Sequence, residues 1–351
     1  MPDLPAPPHL GETPWVVVGL DNGGTANNAT VLTESGDFLV DRLVENPSRV
    51  NEGPQIAVVS LAASFETILD LTDTPRSSVR AIGLDTPGPA SADGVISSKG
   101  ATNFSEVGWH GFDFRSALEA YVGVPVVYNN DGNAAALYAH YQYFGDDAPR
   151  RSSVAAIVGT GLGGGVVEGG QVVKGAAGMA GELGHVHIPM EGLLVDGQPM
   201  PTCNCGFSGD GESVASLSAI EKNLLPFWLT RYPDHPLASL DRRTAARKVR
   251  GLAEQGDPLA LEIFQQQAMA IGRLFTIASN FTDPDGYFVG GGVVETNPEF
   301  REWFVARVRA NTALRGEQID VVHFAAVPDL DMAGARGAAI AARAVVLADS
   351  V

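Results

Sequence analysis

The sequence predicts an α/β protein built from two related domains. Short apolar runs alternate with segments that carry apolar residues at helical spacing, which is typical of strands joined by helices. One strand–glycine turn–strand pattern, "VVVGLDNGGTANNATVLTESGDFLV", is followed later by a similar one, "SVAAIVGTGLGGGVVEGGQVVKG". With 351 residues, of which 45% are hydrophobic, the chain can bury two cores. We expect a small domain at residues 15–136 and a large domain at 137–351.

The first half reads as strands that alternate with helices. A strand begins at Trp15, and the run after the first glycine turn has the pattern of a hairpin that turns at Ser35-Gly36-Asp37. The remaining predicted elements are a helix at 54–71, a strand with a Pro/Gly loop at 79–90, a helix at 114–122 capped by Gly123, a strand at 124–130 and an alanine-rich helix at 134–140.

The second half begins after the polar segment "FGDDAPRRS", which has the composition of a domain hinge. The predicted elements are strands and turns over 153–175, a largely helical region at 213–280, a strand with a glycine turn at 287–294, an amphipathic helix at 300–312, a strand at 319–327 and a small-residue helix at 334–349. We expect this last helix to pack back on the small domain, and residues 1–14 to form a flexible tail.

Composition excludes several classes of protein. A net charge of -18 should repel nucleic acid and anionic membranes. No stretch approaches the ~20 apolar residues of a membrane span, and the proline-rich start lacks the features of a signal peptide. The two cysteines, Cys203 and Cys205, are too close in sequence for an unstrained disulfide. A metal site or free thiols in a reducing compartment fit better, so we expect a cytoplasmic protein.

Three predicted strands end in glycine turns, at 19–25, 158–165 and 289–294. Glycine lets the backbone approach a ligand closely and direct successive N–H groups at it, which suits phosphate, although tight hairpins also need glycine. None of the turns matches the Walker pattern or the strand-to-helix dinucleotide pattern. Asp21, beside the first turn, has the chemistry to hold Mg²⁺ through water, or it braces the turn.

An acid among three asparagines, "NNDGN", separates a predicted strand from a predicted helix at 129–133. Asp and Asn are good helix N-caps, so a structural turn explains the stretch. Ligands of α/β proteins also bind where strands end and helices begin, so Asp131 has a functional interpretation as well. Both interpretations are compatible.

The order of short motifs resembles the ROK family of sugar kinases and sugar-responsive repressors, within the actin/hexokinase superfamily. The motifs are Asp-x-Gly-Gly-Thr at 21–25, Pro-Gly-Pro at 87–89, Asn-Asp-x-Asn at 130–133, Gly-Thr-Gly-x-Gly-Gly-Gly at 159–165, Glu-x-Gly-His at 182–185, Cys-x-Cys-Gly at 203–206 and Gly-Gly-Gly at 290–292. The resemblance covers the chain from about Val16 to the last helix. It implies a two-domain actin-like ATPase (ribonuclease H-like) fold with a cleft between the domains.

The resemblance also implies roles for individual residues. Asp131 would be the general base that accepts a proton from a sugar hydroxyl. The implied sugar-binding residues are Gly88, Asn103, Asn130, Asp131, Glu182, His185 and Glu212. The implied nucleotide-binding residues are Asp21, Gly23, Gly24, Thr25, Gly159, Thr160, Gly161, Gly163, Gly291 and Gly292.

Two departures from the family pattern concern charge and metal. The family's zinc site uses His185 and three cysteines, but Asp210 replaces the third cysteine after Cys203 and Cys205. Zinc accepts carboxylate oxygen, so we expect a retained structural zinc; a degraded site with free thiols is the alternative, and His187 is a spare ligand. Ala26 stands where many relatives carry lysine, so Mg²⁺, backbone N–H groups or an arginine must balance the phosphate charge.

We therefore expect ATP-dependent, Mg²⁺-requiring phosphorylation of a hexose at its 6-hydroxyl, with glucose as the first candidate and an N-acylhexosamine such as N-acetylmannosamine as the alternative. A sugar-sensing protein without catalysis is the alternative of another class. A repressor would need a helix-turn-helix of about sixty residues ahead of the first strand, where only about fourteen residues stand. The resemblance also implies a homodimer.

Overall fold

The computed structural model describes residues 14–88, 90–97, 104, 106, 108–328 and 330–349. The strands are β1 (Val16–Asn22), β2 (Ala26–Thr33), β3 (Glu45–Pro47), β4 (Val79–Thr86), β5 (Val126–Asn130), β6 (Ser153–Val158), β7 (Leu162–Glu168), β8 (Gln171–Val172), β9 (Gly286–Gly290) and β10 (His323–Val327). The helices are α1 (Pro54–Leu71), α2 (Phe114–Val122), α3 (Asp131–Phe144), α4 (Leu217–Ala219), α5 (Leu225–Arg231), α6 (Arg242–Ala253), α7 (Pro258–Phe281), α8 (Pro298–Ala310), α9 (Gly316–Ile319) and α10 (Ala333–Asp349).

Two five-stranded sheets share one pattern of pairing. The first has the order β3-β2-β1-β4-β5 and the second β8-β7-β6-β9-β10. In each sheet an antiparallel hairpin with a glycine turn is followed by two strands parallel to its first strand. The repeated strand–turn–strand pattern of the sequence therefore corresponds to two similarly connected sheets, and the expected α/β fold is confirmed.

Two helices fill the space between the sheets. α10 packs on β1 and β4 of the first sheet, α3 packs on β6 and β7 of the second, and the two helices pack on each other. Small residues permit this approach: a methyl group at Gly83 would come within 1.9 Å of the carbonyl oxygen of Ala338. A methyl group at Gly337 would come equally close, 1.9 Å, to the carbonyl oxygen of Ala134. The small-residue pattern of the last helix therefore reflects close packing on backbone.

The outer faces of the sheets are covered by other helices. Buried side chains of β1 and β4 form one core with α1 and α2, and those of β6 and β9 form another with α7 and α8. By length and composition alone, α1 is apolar enough to cross a membrane, but half of it is buried inside the protein. Its apolar composition is therefore explained by the core that it covers.

Three expectations about elements differ from the structure. The hairpin expected at Ser35-Gly36-Asp37 turns there, with the Thr33 N–H donating to the Asp37 carbonyl, but its second arm is only an isolated bridge between Leu32 and Phe38. The expected hinge contains a 3₁₀ helix, Gly145–Arg150. The alanine-rich helix begins at residue 131 and not at 134, since Asn130 caps it by accepting the N–H of Asn133.

Candidate active site

The carboxyl ends of three neighbouring strands bring three acids to one edge of the first sheet. Asp21 lies near the end of β1 and pairs with Asp85 on β4, and Asp131 follows β5 directly. α3 and α10 both begin at this edge, and a methyl group at Gly334 in α10 would meet both Asp21 and Asp85 within about 3 Å. Helix N-termini carry partial positive charge, so this edge is suited to anionic groups.

Asp131 is the first residue of α3 and remains open to solvent. One of its carboxylate oxygens accepts the N–H of Gly132 at 2.7 Å. Its surroundings remove much of its hydration, and this burial raises the pKa of Asp131 to about 6, while the Gly132 N–H lowers it and the charges of Asp21 and Glu182 raise it. A solvent-accessible carboxylate with a pKa near 6 is ionised at neutral pH yet close to the range in which a base is most effective.

Asp21 and Asp85 differ in their partners. Asn28 donates to Asp21 at 3.1 Å, whereas burial raises the pKa of Asp21 to about 6. Asp85 is fully buried, and neither of its carboxylate oxygens has a hydrogen-bond partner in the described part of the chain. Burial, with the charges of Asp21 and Asp131, raises the pKa of Asp85 well above its usual value.

The structure places several of the predicted sugar-binding residues near Asp131. Gly88 lies beside Asn130, because a methyl group on Gly88 would be 3.1 Å from the Asn130 amide nitrogen. Glu182 is close enough to raise the pKa of Asp131, and burial raises the pKa of Glu182 itself. Asn103 lies outside the described residues.

The second glycine turn lies beside Asp131. Gly159 donates to the carbonyl of Gly161 at 2.9 Å, and a methyl group on Gly163 would lie 3.6 Å from the Cα of Gly132 at the head of α3. Glu212, predicted to bind sugar, directs its carboxylate to the N–H of Leu162 at 2.9 Å. Glu212 therefore fixes the glycine turn.

The first and third glycine turns lie at ends of the two sheets. Gly23, Gly24 and Thr25 connect β1 to β2, and Gly23 donates to the carbonyl of Ala26 at 2.9 Å. Gly291 has a φ of 80° and packs against Val158, which directly precedes the second turn.

An arginine borders the third turn. Arg250 of α6 donates to the carbonyl of Gly292 at 2.6 Å, and it is exposed to solvent. It is therefore a cation next to the nucleotide-binding residues that the sequence predicts. Ala26 replaces a lysine, and an arginine is one of the expected sources of the missing positive charge. Arg250 is an arginine in a suitable position.

The predicted zinc ligands converge. The ligand atoms of His185, Cys203, Cys205 and Asp210 all lie within 4.8 Å of one another. The His185 Nδ1 is 3.5 Å from Asp210 Oδ2 and 3.9 Å from Cys203 Sγ. Bonds of about 2.0–2.3 Å in a tetrahedron place ligand atoms roughly 3.3–3.8 Å apart, so the chemistry of these side chains suits zinc, and the ligand atoms, up to 4.8 Å apart, would have to draw together around it.

The metal cluster touches the glycine turn through one residue. Cys203 Sγ lies 3.2 Å from Glu212 Oε1, and the other Glu212 oxygen accepts the N–H of Leu162. His187 is not part of the cluster among the described residues, and its ring packs on Phe207. Both cysteines are free thiols in the structure.

Sequence reasoning missed three residues of this site. Asp85 stands in a strand of apolar residues, and an acid in a buried strand was the available signal. Gly132 stands within the motif that carries Asp131, and close packing accounts for it, since a methyl group there would come within 2.9 Å of the Gly164 N and O atoms. Arg250 left no local signal, because its contact spans 42 residues of sequence.

Known proteins resemble this chain over most of its length. The family model described as "ROK family" matches residues 17–345. A glucokinase from Halalkalibacterium halodurans is 32% identical over 280 residues, covering 79% of this chain and 80% of the relative. An N-acetylmannosamine kinase from Yersinia pseudotuberculosis is 30% identical over 277 residues, covering 79% of this chain and 82% of the relative.

Two solved structures share the fold. The ROK hexokinase from Thermus thermophilus has a TM-score of 0.74 and 31% identity, covering 95% of this chain and 99% of that one. The ROK family glucokinase from Streptomyces griseus, solved with glucose and AMPPNP, has a TM-score of 0.67 and 27% identity, covering 94% and 99%.

Two similarly connected sheets, with a strand-end carboxylate beside glycine turns, define this protein as a sugar kinase with the actin-like ATPase fold. Within that class, the chain belongs to the ROK family. The resemblance drawn from the motifs is thereby confirmed.

Proposed function

We propose that this protein transfers the terminal phosphoryl group of ATP to the 6-hydroxyl of a hexose, with glucose as its main substrate. The position of Asp131 carries the proposal: its exposed carboxylate stands at a strand end, next in the chain to Asn130, whose amide lies near Gly88, and to Gly132, which faces Gly164 of the second glycine turn. Phosphoryl transfer needs mainly in-line positioning and charge stabilisation, so one oriented carboxylate suffices as base.

On the sugar side, Asp131 accepts the proton of the attacking hydroxyl. Asn130 keeps its amide nitrogen near Gly88 while its oxygen caps α3, so the same residue that fixes the start of the helix presents a donor to the sugar. Glu182 and His185 provide further hydrogen-bonding groups, because carboxylates and imidazoles suit the hydroxyl groups of a sugar.

On the donor side, backbone N–H groups of the glycine turns hold the phosphates. Asp21 would hold Mg²⁺ through water, and the metal when bound would neutralise phosphate charge. Arg250 supplies a fixed positive charge beside Gly292. This arrangement balances charge without the lysine that many relatives carry at position 26.

The proposal includes a structural zinc held by His185, Cys203, Cys205 and Asp210. Its place is to fix the loop that carries Glu212, whose carboxylate reaches both the metal cluster and the glycine turn. Zinc thereby supports the position of the second glycine turn and does not take part in the reaction.

Two relatives of this chain are named for different sugar substrates. The glucokinase and N-acetylmannosamine kinase relatives match this chain about equally, at 32% and 30% identity. The N-acetylmannosamine alternative therefore remains. Gly132 gives no reason to prefer either sugar, because a methyl group there would meet the Gly164 backbone.

The proposal also covers the cellular location and the oligomeric state of the protein. Two free thiols, an apolar helix that is half buried and a net charge of -18 fit a cytoplasmic protein that binds neither nucleic acid nor membrane. A homodimer is the expected assembly, and size-exclusion chromatography with light scattering tests it.

A coupled assay of ADP release over hexoses and N-acetylhexosamines tests the function. We expect the largest kcat/KM with glucose and no turnover without Mg²⁺. Preference for N-acetylmannosamine would favour the alternative sugar. The absence of sugar-dependent ADP release across the panel would contradict kinase activity and leave a sugar-sensing protein.

A further inference from the structure

A cavity of about 220 Å³ lies in the layer between the two sheets, away from the predicted site residues. It is bounded by β5 at the open edge of the first sheet, by α3 and α10, and by β8 of the second sheet. None of the catalytic, sugar-binding, nucleotide-binding or metal residues predicted from the sequence lines it within the described ranges. The cavity is therefore distinct from the active site described above.

One side chain in this cavity is poised for a ligand. Asn129 is only 2% exposed, and it lines the cavity from the middle of the interior layer. Neither its amide oxygen nor its amide nitrogen has a partner in the described part of the chain. A buried amide without hydrogen bonds is costly, so whatever occupies the cavity must both donate to and accept from Asn129.

The remaining lining sets the size and polarity of an occupant. Leu137, Val172 and Ala341 form apolar walls. Lys174 adds a cation that donates to the carbonyl of Tyr128 at 2.6 Å, and Gln171 and Asp349 are exposed polar parts of the lining. The volume is below the roughly 300–1,000 Å³ of pockets for drug-sized ligands. A small molecule with apolar C–H faces and adjacent hydroxyl groups matches these walls and the amide pair.

We propose that this cavity binds a small polyhydroxylated molecule, of monosaccharide size or smaller, with Asn129 as the residue that recognises a pair of neighbouring hydroxyl groups. One hydroxyl donates to the Asn129 oxygen and the next accepts from its nitrogen. The C–H faces of the molecule pack on the apolar walls. This second site goes beyond the proposed kinase function and does not depend on it.

The location connects the cavity to both halves of the molecule. Asn129 precedes the catalytic candidate Asp131 by two residues on the same strand–helix unit, whereas Val172 and Lys174 belong to the second half. An occupant that contacts both halves binds more tightly to one relative arrangement of them than to another. Such a ligand shifts the population of arrangements in proportion to that difference in affinity.

Calorimetric titration of the full chain without nucleotide tests the proposal, with myo-inositol and glucose as the probes. We expect either one saturable site for myo-inositol or a second site for glucose in addition to the active site. These two results distinguish an unrelated polyol from the substrate sugar as the source of the ligand. A wild-type protein that binds neither probe at a site removed by Ala344→Phe would overturn the proposal and leave ordered water in the cavity.

Two variants locate the binding. Asn129→Leu removes both hydrogen bonds and should weaken the cavity site by roughly tenfold to a hundredfold. Ala344→Phe fills the cavity from α10 without changing the strand, so it remains informative if the first variant folds poorly. Ala310→Phe, on an exposed position of α8, is the matched control and should leave both titrations unchanged.

Binding that persists in both cavity variants would lie elsewhere and would contradict the assignment. ADP release with glucose is measured on the same samples. If a cavity variant loses the cavity site and keeps its turnover, the two sites are separate. The kinase assignment is tested by turnover alone, and the cavity proposal is tested by binding alone.

Discussion

The carboxylate of Asp131 is influenced by two opposing effects. Its position in the first turn of α3 favours the ionised form through the Gly132 N–H, whereas burial and the neighbouring acids favour the protonated form. The result is a pKa of about 6, where the group is ionised at pH 7 and still a competent base. Asp21 has a pKa of about 6 as well, so any titration observed near pH 6 belongs to the pair.

Replacement of Asp131 by asparagine should lower kcat by about 10²–10⁴, because the hydroxyl loses its proton acceptor while the shape of the side chain is kept. Sugar binding should persist, as measured by calorimetry. In the wild type, kcat/KM for sugar should fall as the pH drops below about 6, since protonation removes the base. Full turnover by the Asn variant would contradict the assignment of the base.

The melting temperature of Asp131→Asn shows whether this variant is correctly folded. The pKa of Asp131 is raised from 3.8 to about 6 on folding, so its contribution to stability is complete below pH 3.8 and is lost as the pH rises through 6. Asp131→Asn should therefore have a higher melting temperature than the wild type at pH 7.5, and the difference should shrink toward pH 4. A lower melting temperature at pH 7.5 would indicate misfolding instead.

Arg250 should matter for the nucleotide and not for the sugar. Arg250→Ala removes the charge beside Gly292, and we expect the KM for ATP to rise about tenfold with the KM for sugar unchanged. Arg247→Ala is the matched control, since Arg247 is exposed on the same helix. Equal effects of the two substitutions on ATP would show that only general charge is involved.

Among the elements, α3 and β7 approach each other more closely than side chains allow. Gly132 in α3 faces the backbone of Gly164 in β7, and Gly165 lies against Ala136. This contact fixes the helix start that carries Asp131 against the strand that leaves the second glycine turn. The glycines after residue 162 therefore serve packing as well as any phosphate contact.

Gly132→Ala should destabilise the protein by roughly 1–3 kcal/mol, because the methyl group would overlap the Gly164 backbone and force the elements apart. Gly251→Ala is the matched control: it lies within α6, and a methyl group there meets nothing within 4 Å. The control should stabilise the protein by about 0.5–1 kcal/mol. Urea denaturation measures both, and a neutral Gly132→Ala would contradict the close contact.

We expect the loop between His185 and Glu212 to depend on a bound zinc for its shape. Metal analysis should find one zinc per chain, and removal with a chelator should lower the melting temperature by several degrees and reduce kcat, because Glu212 would no longer fix the glycine turn. Cys205→Ser should reproduce both effects. A zinc-free protein with full activity would instead favour the degraded site.

For the whole molecule, the arrangement of the halves is set by α3 and α10, which lie between the sheets. Asp21, Asp85 and Asp131 come together because β1, β4 and β5 end at the same edge of the first sheet, where α3 and α10 also begin. Closure over bound sugar would bring the glycine turns toward that edge and exclude water, which otherwise accepts the phosphoryl group.

Closure should be visible in solution. Small-angle X-ray scattering of the Asp131→Asn variant, which holds its ligands without turnover, should give a smaller radius of gyration with glucose and AMPPNP than without ligand. Mannitol at the same concentration controls for the effect of solute on the scattering. An unchanged radius would mean that the halves do not move when the site is filled.

The sequence by itself determined the α/β class, the two similar halves and the positions of Asp131 and the glycine turns, because these depend on local periodicity and on residue types with restricted backbone preferences. The family resemblance, with the ability of zinc to accept carboxylate oxygen, grouped Asp210 with His185 and the two cysteines, and the structure brings these four side chains together. The tertiary structure alone decided that Arg250 reaches Gly292, that Gly132 faces Gly164 and that Asp85 is an unpaired acid beside Asp21. Those contacts join residues that are distant in the chain. Local sequence patterns do not predict which distant segments will pack against each other.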